Sequence, residues 1–285
     1  MKKYKLAIIG ATGIVGLTVR SVLEEKNLPI SEYAFFSSSK SAGTKITFLG
    51  KEYIVRELNE SSFDEGFDFA IFSAGSEIAK KFSPIAISNG CIVIDNSSAF
   101  RMDSKVPLIV PEVNPNDINL HQGIIANPNC STIQAVVALN PLDKKYKIKR
   151  IVYSTYQAVS GAGKKGIDDL ENLLKGLKPT KFPHDIVNNC LPHIDVFEDN
   201  GYTKEEIKMI NETKKILGNP NLKITATTVR VPVLNSHSES INIEFENDFD
   251  IDELKLCLKN SPGIIVLDDP QNNVYPLAQI ATRTW

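Results

Sequence analysis

The apolar positions of this chain change their period along its length. Leu6-Ala7-Ile8-Ile9 form a short apolar run, Gly10-Ala11-Thr12-Gly13-Ile14-Val15-Gly16 interrupts it, and Val19, Val22 and Leu23 then fall on one helical face. That order predicts strand, glycine turn and helix. A second strand is predicted over residues 32–36, closing in Ser37-Ser38-Ser39-Lys40-Ser41. Apolar segments at 67–73, 91–95 and 108–110, with a helical stretch near 77–88, continue the alternation. Strands and helices alternating in this way specify a Rossmann-type, doubly wound α/β domain whose parallel strands are buried on both faces.

Past residue 129 the pattern shifts to longer runs of β-branched and aromatic residues at 151–156, 223–233 and 239–245, with helical periodicity near 164–175 and 204–217. This predicts a second, α+β domain with a mostly antiparallel sheet. The division expected lies between residues 1–128 and residues 129–285.

Composition narrows the partners. A formal net charge of -2 and the lack of a dense Lys/Arg run argue against nucleic acid. The start, Met1-Lys2-Lys3-Tyr4-Lys5, is basic like a leader, but Gly10, Thr12 and Gly13 break the apolar stretch that follows, which is therefore read as a strand. No uninterrupted apolar run approaches the roughly 20 residues that span a bilayer. Cys91, Cys130, Cys190 and Cys257 have neither zinc-ligand spacing nor a disulfide framework, so no metal is expected and a reducing cytoplasm fits.

Cys130 stands apart from the other three. It follows Asn127-Pro128-Asn129 and precedes an apolar run that reads as a helix, so its thiol is expected at a helix N-terminus, where partial positive charge favours thiolate. Gly10, Gly13 and Gly16 form a variant dinucleotide fingerprint in the strand–turn–helix context it requires. The second strand ends in Ser38, Lys40 and Ser41 without the carboxylate that suits NAD, which favours NADP. A thiolate and a nicotinamide together imply attack on an aldehyde, hydride loss and a thioester. His237, just beyond the 223–233 strand, is the best-placed base, and Arg230 and Arg101 can each grip an anionic group bidentately.

These residues, together with Ser73-Ala74-Gly75-Ser76, Val110-Pro111-Glu112-Val113-Asn114, the run from Ser154 to Gly163, and Tyr202 to Lys208, make the chain similar to the aspartate-β-semialdehyde dehydrogenase family. The resemblance runs from residue 1 to about residue 278. It implies reversible NADP-dependent reductive dephosphorylation of aspartyl-β-phosphate to aspartate semialdehyde, with phosphate as co-substrate, on the way to lysine or diaminopimelate, methionine and threonine. It also implies a cytoplasmic homodimer. By the same resemblance Cys130 carries the acyl group, His237 is the acid/base and Gln157 orients the intermediate. Arg230 and Glu205 hold the substrate's α-carboxylate and α-amino group, and Arg101 and Lys208 its phosphate. Thr12, Gly13, Ile14, Val15, Lys40, Ser41, Ser160 and Gly161 match cofactor contacts, and Gly10, Ser38, Ser73 and Gly75 complete that set. The family's pattern continues through a further strand and a C-terminal helix where this chain ends, so a shortened chain is expected.

Two other readings stand beside this one. An N-acetyl-γ-glutamyl-phosphate reductase would share the thioester chemistry, but an acetylated substrate has no ammonium for Glu205 to bind. A non-catalytic NADP-binding protein is the other.

Overall fold

The computed structural model describes residues 3–282. Met1, Lys2 and residues 283–285, which the leader-like start and the shortened end include, lie outside the described residues. The chain divides into two compact units: the first runs to Ile109 and includes Asn116–Pro128, and the second comprises Val110–Pro115 and the chain from Asn129 onward.

The first unit is built on a six-stranded sheet whose strands are all parallel. These are β1 (Tyr4–Ile9), β2 (Ile30–Ser37), β5 (Arg56–Glu57), β6 (Phe69–Phe72), β7 (Ile92–Asp95) and β8 (Ile124–Ala126), in the order β5-β2-β1-β6-β7-β8. The order reverses at β1, which places the carboxyl ends of β1, β2 and β6 around one crevice. Ile8, Ile9 and Ala70 are fully buried, as strands covered on both faces require. Helices α1 (Ile14–Lys26) and α2 (Ser76–Ser88) follow β1 and β6. The hairpin β3 (Lys45–Phe48) and β4 (Lys51–Ile54) adds Phe48 and Tyr53, which pack edge-on against Phe35.

The strand expected at residues 108–110 does not form. Pro107 lacks an N–H, and only Leu108 bridges to Ala126. The last place in the sheet goes to the short run Ile124–Ala126, which pairs in parallel with Val93–Asp95.

In the second unit, α3 (Cys130–Tyr146) leads into β9 (Ile148–Gln157), the centre of a three-stranded sheet. β11 (Ser238–Phe245) pairs with β9 antiparallel, whereas β10 (Lys223–Arg230) pairs with it in parallel. The sheet is therefore mixed rather than mostly antiparallel. The reason is the crossover between β9 and β10, which contains α4 (Lys164–Leu174) and α5 (Lys204–Ile216) and brings the chain back in the same direction. Ala135, Leu139 and Met209 from the helices bury Ile151, Tyr153 and Ala226 of the sheet. Register places Gln157 opposite Arg230 at the carboxyl ends of β9 and β10. Among the described residues no helix is long and apolar enough to cross a membrane.

Candidate active site

Cys130 is the first residue of α3, as the Asn-Pro-Asn approach predicts. Asn129 caps the helix: its Oδ1 accepts the N–H groups of Ser131 and Thr132 at 2.9 and 3.2 Å. Its own N–H donates to Glu212 at 2.6 Å and its Nδ2 to Glu205 at 2.9 Å, so the cap is also tied to α5. The thiol is exposed, and its Sγ lies 3.2 Å from His237 Nε2.

Around this pair the second unit gathers the other predicted residues of its sequence. Gln157, buried at the end of β9, donates from Nε2 to Glu205 Oε1 at 3.1 Å and accepts from Thr155 at its Oε1. Glu205 Oε2 meets Lys208 at 3.3 Å, and Lys208 also pairs with Asp195 at 2.8 Å. Burial works against the Glu205 carboxylate, but Lys208, Asn129 and Gln157 outweigh it and hold its pKa below the usual range. Burial likewise works against the Lys208 ammonium, and Glu205 and Asp195 more than offset it, raising its pKa. Arg230 donates from Nη1 to Ala158 O at 2.7 Å, and burial lowers its pKa. The N–H of the same Ala158 donates to His237 Nδ1 at 2.9 Å. Burial first, then Arg230, pushes the His237 pKa down to about 4. Gly161 is pressed against both: a Cβ there would lie 2.9 Å from Arg230 Nη1 and 3.2 Å from the His237 ring.

Chemically, this is an accessible sulfur at the positive end of a helix beside an imidazole, with an amide and a guanidinium at hand. Asn129, Ala158 and Glu212 belong to it, although sequence reasoning gave them no role. Asn129 was legible as a helix cap; the contacts of the other two depend on pairings distant in sequence. Gln134, one turn along α3 from Cys130, also went unassigned, and its Nε2 donates to Glu239 at 2.6 Å.

Arg101 lies in the first unit, buried, donating from Nε to Asn127 O at 2.9 Å and from Nη2 to Asn96 O at 3.2 Å. The dinucleotide residues are there too. A cavity of about 410 Å³ is lined by Gly10, Thr12, Gly13, Ser38, Ser41 and Ser73, with Ser37, Ser39 and Glu57 beside them. Gly10 has φ +84, and a Cβ on it would strike Ser73 O at 2.8 Å. At Gly13 a Cβ would meet only Gly10 O, at 3.5 Å, leaving the cavity side open. Gly16 is different: a Cβ there would sit 2.2 Å from Gly10 O, so it serves helix–turn packing. Ile14 and Val15 open α1, and Gly75, with φ +91, caps α2. Lys40 is exposed between the serines, and Ser160 and Gly161 belong to the second unit.

The hydroxyls of Thr12, Ser38 and Ser41 and the open glycine turn fit a phosphorylated dinucleotide. One carboxylate does reach this rim. Strand β5 sets Glu57 opposite Ser37, a pairing hidden by their separation in sequence. Among the described residues no three His, Cys, Asp or Glu side chains group to hold a metal.

Comparison with known proteins follows the same division. The model of the semialdehyde dehydrogenase NAD binding domain matches residues 5–121, and that of the semialdehyde dehydrogenase dimerisation domain matches residues 139–284. Aspartate-semialdehyde dehydrogenase of Aquifex aeolicus is 54% identical over 98% of this chain and 84% of its own length. The crystal structure of aspartate semialdehyde dehydrogenase II complexed with ASA from Vibrio cholerae superposes with a TM-score of 0.88 at 44% identity, covering 93% of this chain and 81% of that one. The Candida albicans aspartate semialdehyde dehydrogenase with NADP does so at a TM-score of 0.72 and 27% identity, over 91% of this chain and 76% of that one.

Proposed function

The chain belongs to the aspartate-semialdehyde dehydrogenase family, and we propose that it interconverts aspartyl-β-phosphate and aspartate semialdehyde through a thioester on Cys130. The reaction stands at the branch toward lysine or diaminopimelate, methionine and threonine. The observation that carries this reading is the 3.2 Å approach of Cys130 Sγ to His237 Nε2 at the start of α3.

Each neighbour has a task in the scheme. Cys130 attacks the carbonyl carbon of the acyl phosphate; the C–S bond forms, the C–O bond to phosphorus breaks, and phosphate leaves with the electron pair. His237 is the proton-bearing acid/base group beside the sulfur. Gln157, held by Glu205 and Thr155, orients the acyl group. Arg230 takes the α-carboxylate bidentately and Glu205 the α-ammonium. Arg101 and Lys208 take the phosphate that leaves in one direction and enters in the other.

NADP, when bound, supplies or accepts the hydride. Gly10, Thr12, Gly13, Ile14, Val15, Ser38, Lys40, Ser41, Ser73 and Gly75 of residues 1–128 would hold it, with Ser160 and Gly161 of residues 129–285. The second domain also carries dimerisation, so the active species is a homodimer. All four cysteines are free of disulfides, in keeping with a cytoplasmic enzyme.

Phosphate-dependent reduction of NADP by the purified protein with aspartate semialdehyde tests the reading. Turnover is expected, and Cys130→Ala should abolish it with NADP affinity nearly unchanged. Substantial activity in that variant would remove Cys130 as nucleophile.

A further inference from the structure

We propose that Glu57 reads the base of the bound dinucleotide, its carboxylate accepting a hydrogen bond from the exocyclic amine of adenine. The inference deepens the reading of the 410 Å³ cavity as the NADP site and rests on it.

A cavity for a ligand with several phosphates has reason to exclude negative charge, yet Glu57 is the one ionisable residue in its described lining. The strand holds it there. β5 consists of Arg56 and Glu57, whose side chains leave opposite faces of the sheet. Arg56 turns away from the cavity, its Nη1 donating to Glu65 at 2.7 Å and its guanidinium lying 4.5 Å from the centre of the Phe36 ring. Glu57 takes the other face, fixed in register opposite Ser37 by the Leu58 N–H, which donates to Ser37 O at 3.0 Å. Among the described residues no hydrogen bond or ion pair engages its carboxylate, so both oxygens are open to a ligand.

Order across the sheet assigns this carboxylate to one part of the ligand. The glycine turn follows β1, residues 37–41 close β2, and Glu57 closes β5, two strand spacings or roughly 9–10 Å from β1. Phosphate, ribose and base follow one another in the same order along the adenosine half of a dinucleotide. The turn and the start of α1 suit the pyrophosphate, and the serines suit the 2′-phosphate, which leaves the base for β5. Leu58, with Ile78 and Phe82 of α2, gives the cavity apolar walls for the faces of that base. A carboxylate can only accept. Of the donors on this half of NADP, the ribose 3′-hydroxyl lies beside the 2′-phosphate that repels it, whereas the adenine amine does not.

Calorimetric titration with NADP, and with its analogue bearing hypoxanthine in place of adenine, tests the contact without turnover. The analogue has a carbonyl where adenine has its amine. The wild type should bind it about tenfold more weakly than NADP, the size of one hydrogen bond to a charged group. In Glu57→Gln the side-chain amide can donate to that carbonyl, and the gap should close to within about twofold. Equal affinity of the wild type for the two, or a gap that survives unchanged in Glu57→Gln, would overturn the proposal. So would a loss in Glu57→Gln confined to NAD, which would give the carboxylate to a 2′-hydroxyl instead. Failure of the wild type to bind either phosphorylated dinucleotide would defeat the assignment of the cavity to NADP itself.

Discussion

His237 and Glu239 flank the first residue of β11, and burial drives their pKa values in opposite directions. Glu239 is pushed up to about 8, its Oε1 accepting from Gln134 and its Oε2 buried without a hydrogen-bond partner. The consequences for stability follow from proton counting. For His237 the native pKa of about 4 lies below the ordinary 6.5, so the unfolded chain binds more protons between them and stability falls as pH drops through that window. For Glu239 the native value of about 8 lies above 4.5, so the native state holds the extra proton and stability falls as pH rises from 4.5 to 8. Glu239→Gln keeps an acceptor for Gln134 but cannot ionise. Its urea midpoint should fall less than that of the wild type between mildly acidic and mildly basic buffer; parallel curves would contradict a buried, neutral Glu239. At this scale Cys130 was legible because its setting is local: a turn, a cap and a helix start, all within a few residues. His237 was legible only as a residue type near a strand end. What holds its ring is the N–H of Ala158, 79 residues away, and no short-range pattern encodes that contact.

The elements that present these residues are held at their ends. The start of α3 is joined to α5 through Asn129, whose amide both caps the helix and donates to Glu205. Asn129→Ala removes a cap worth about 1 kcal/mol and leaves a buried carboxylate short of a donor, for a total loss of about 2–3 kcal/mol. Urea unfolding should register that loss, and a change within 0.5 kcal/mol, the size typical of surface substitutions, would mean that α3 does not depend on its cap. Asp169 of α4 does similar work, accepting from the main-chain N–H groups of Thr180, Lys181 and Phe182 and so pinning the loop that follows. Periodicity placed α1 after the glycine turn and found α2, α4 and α5 to within a residue or two, because each has one apolar face. It failed at residues 108–110, where an apolar run beside Pro107 could not complete a ladder. It also missed β5, which is only two residues long and gains its meaning from pairing with Ser37.

For the whole molecule, the proposed contacts divide by unit: the nucleotide-binding residues up to Gly75 lie in the first, while Cys130, Gln157, Arg230 and His237 lie in the second. Adding NADP should therefore slow amide exchange at the Gly10–Gly16 turn and at residues 37–41, with protection in the second unit confined to the neighbourhood of Ser160 and Gly161. At a hundred times its Kd the ligand should raise stability by about 2.7 kcal/mol. Protection absent from the Gly10–Gly16 turn would place the cofactor elsewhere. Two domains could be read from the change in period after residue 129. That Val110–Pro115 belongs with the second could not, because its partners lie downstream.

That short segment bears on how the protein is made. Synthesis proceeds from the N-terminus, and the sheet of the first unit has all its strands once Ala126 has left the ribosome. Val110–Pro115 has emerged by then, yet Asn140, which donates to Glu112 O, has not, and Gly263, which packs beside the Glu112 side chain, comes later still. The nascent chain therefore carries a loop held at both ends by a finished sheet and waiting for its own packing. A cut after Pro128 would make that waiting permanent, so the two units cannot be parted cleanly by a single break in the chain.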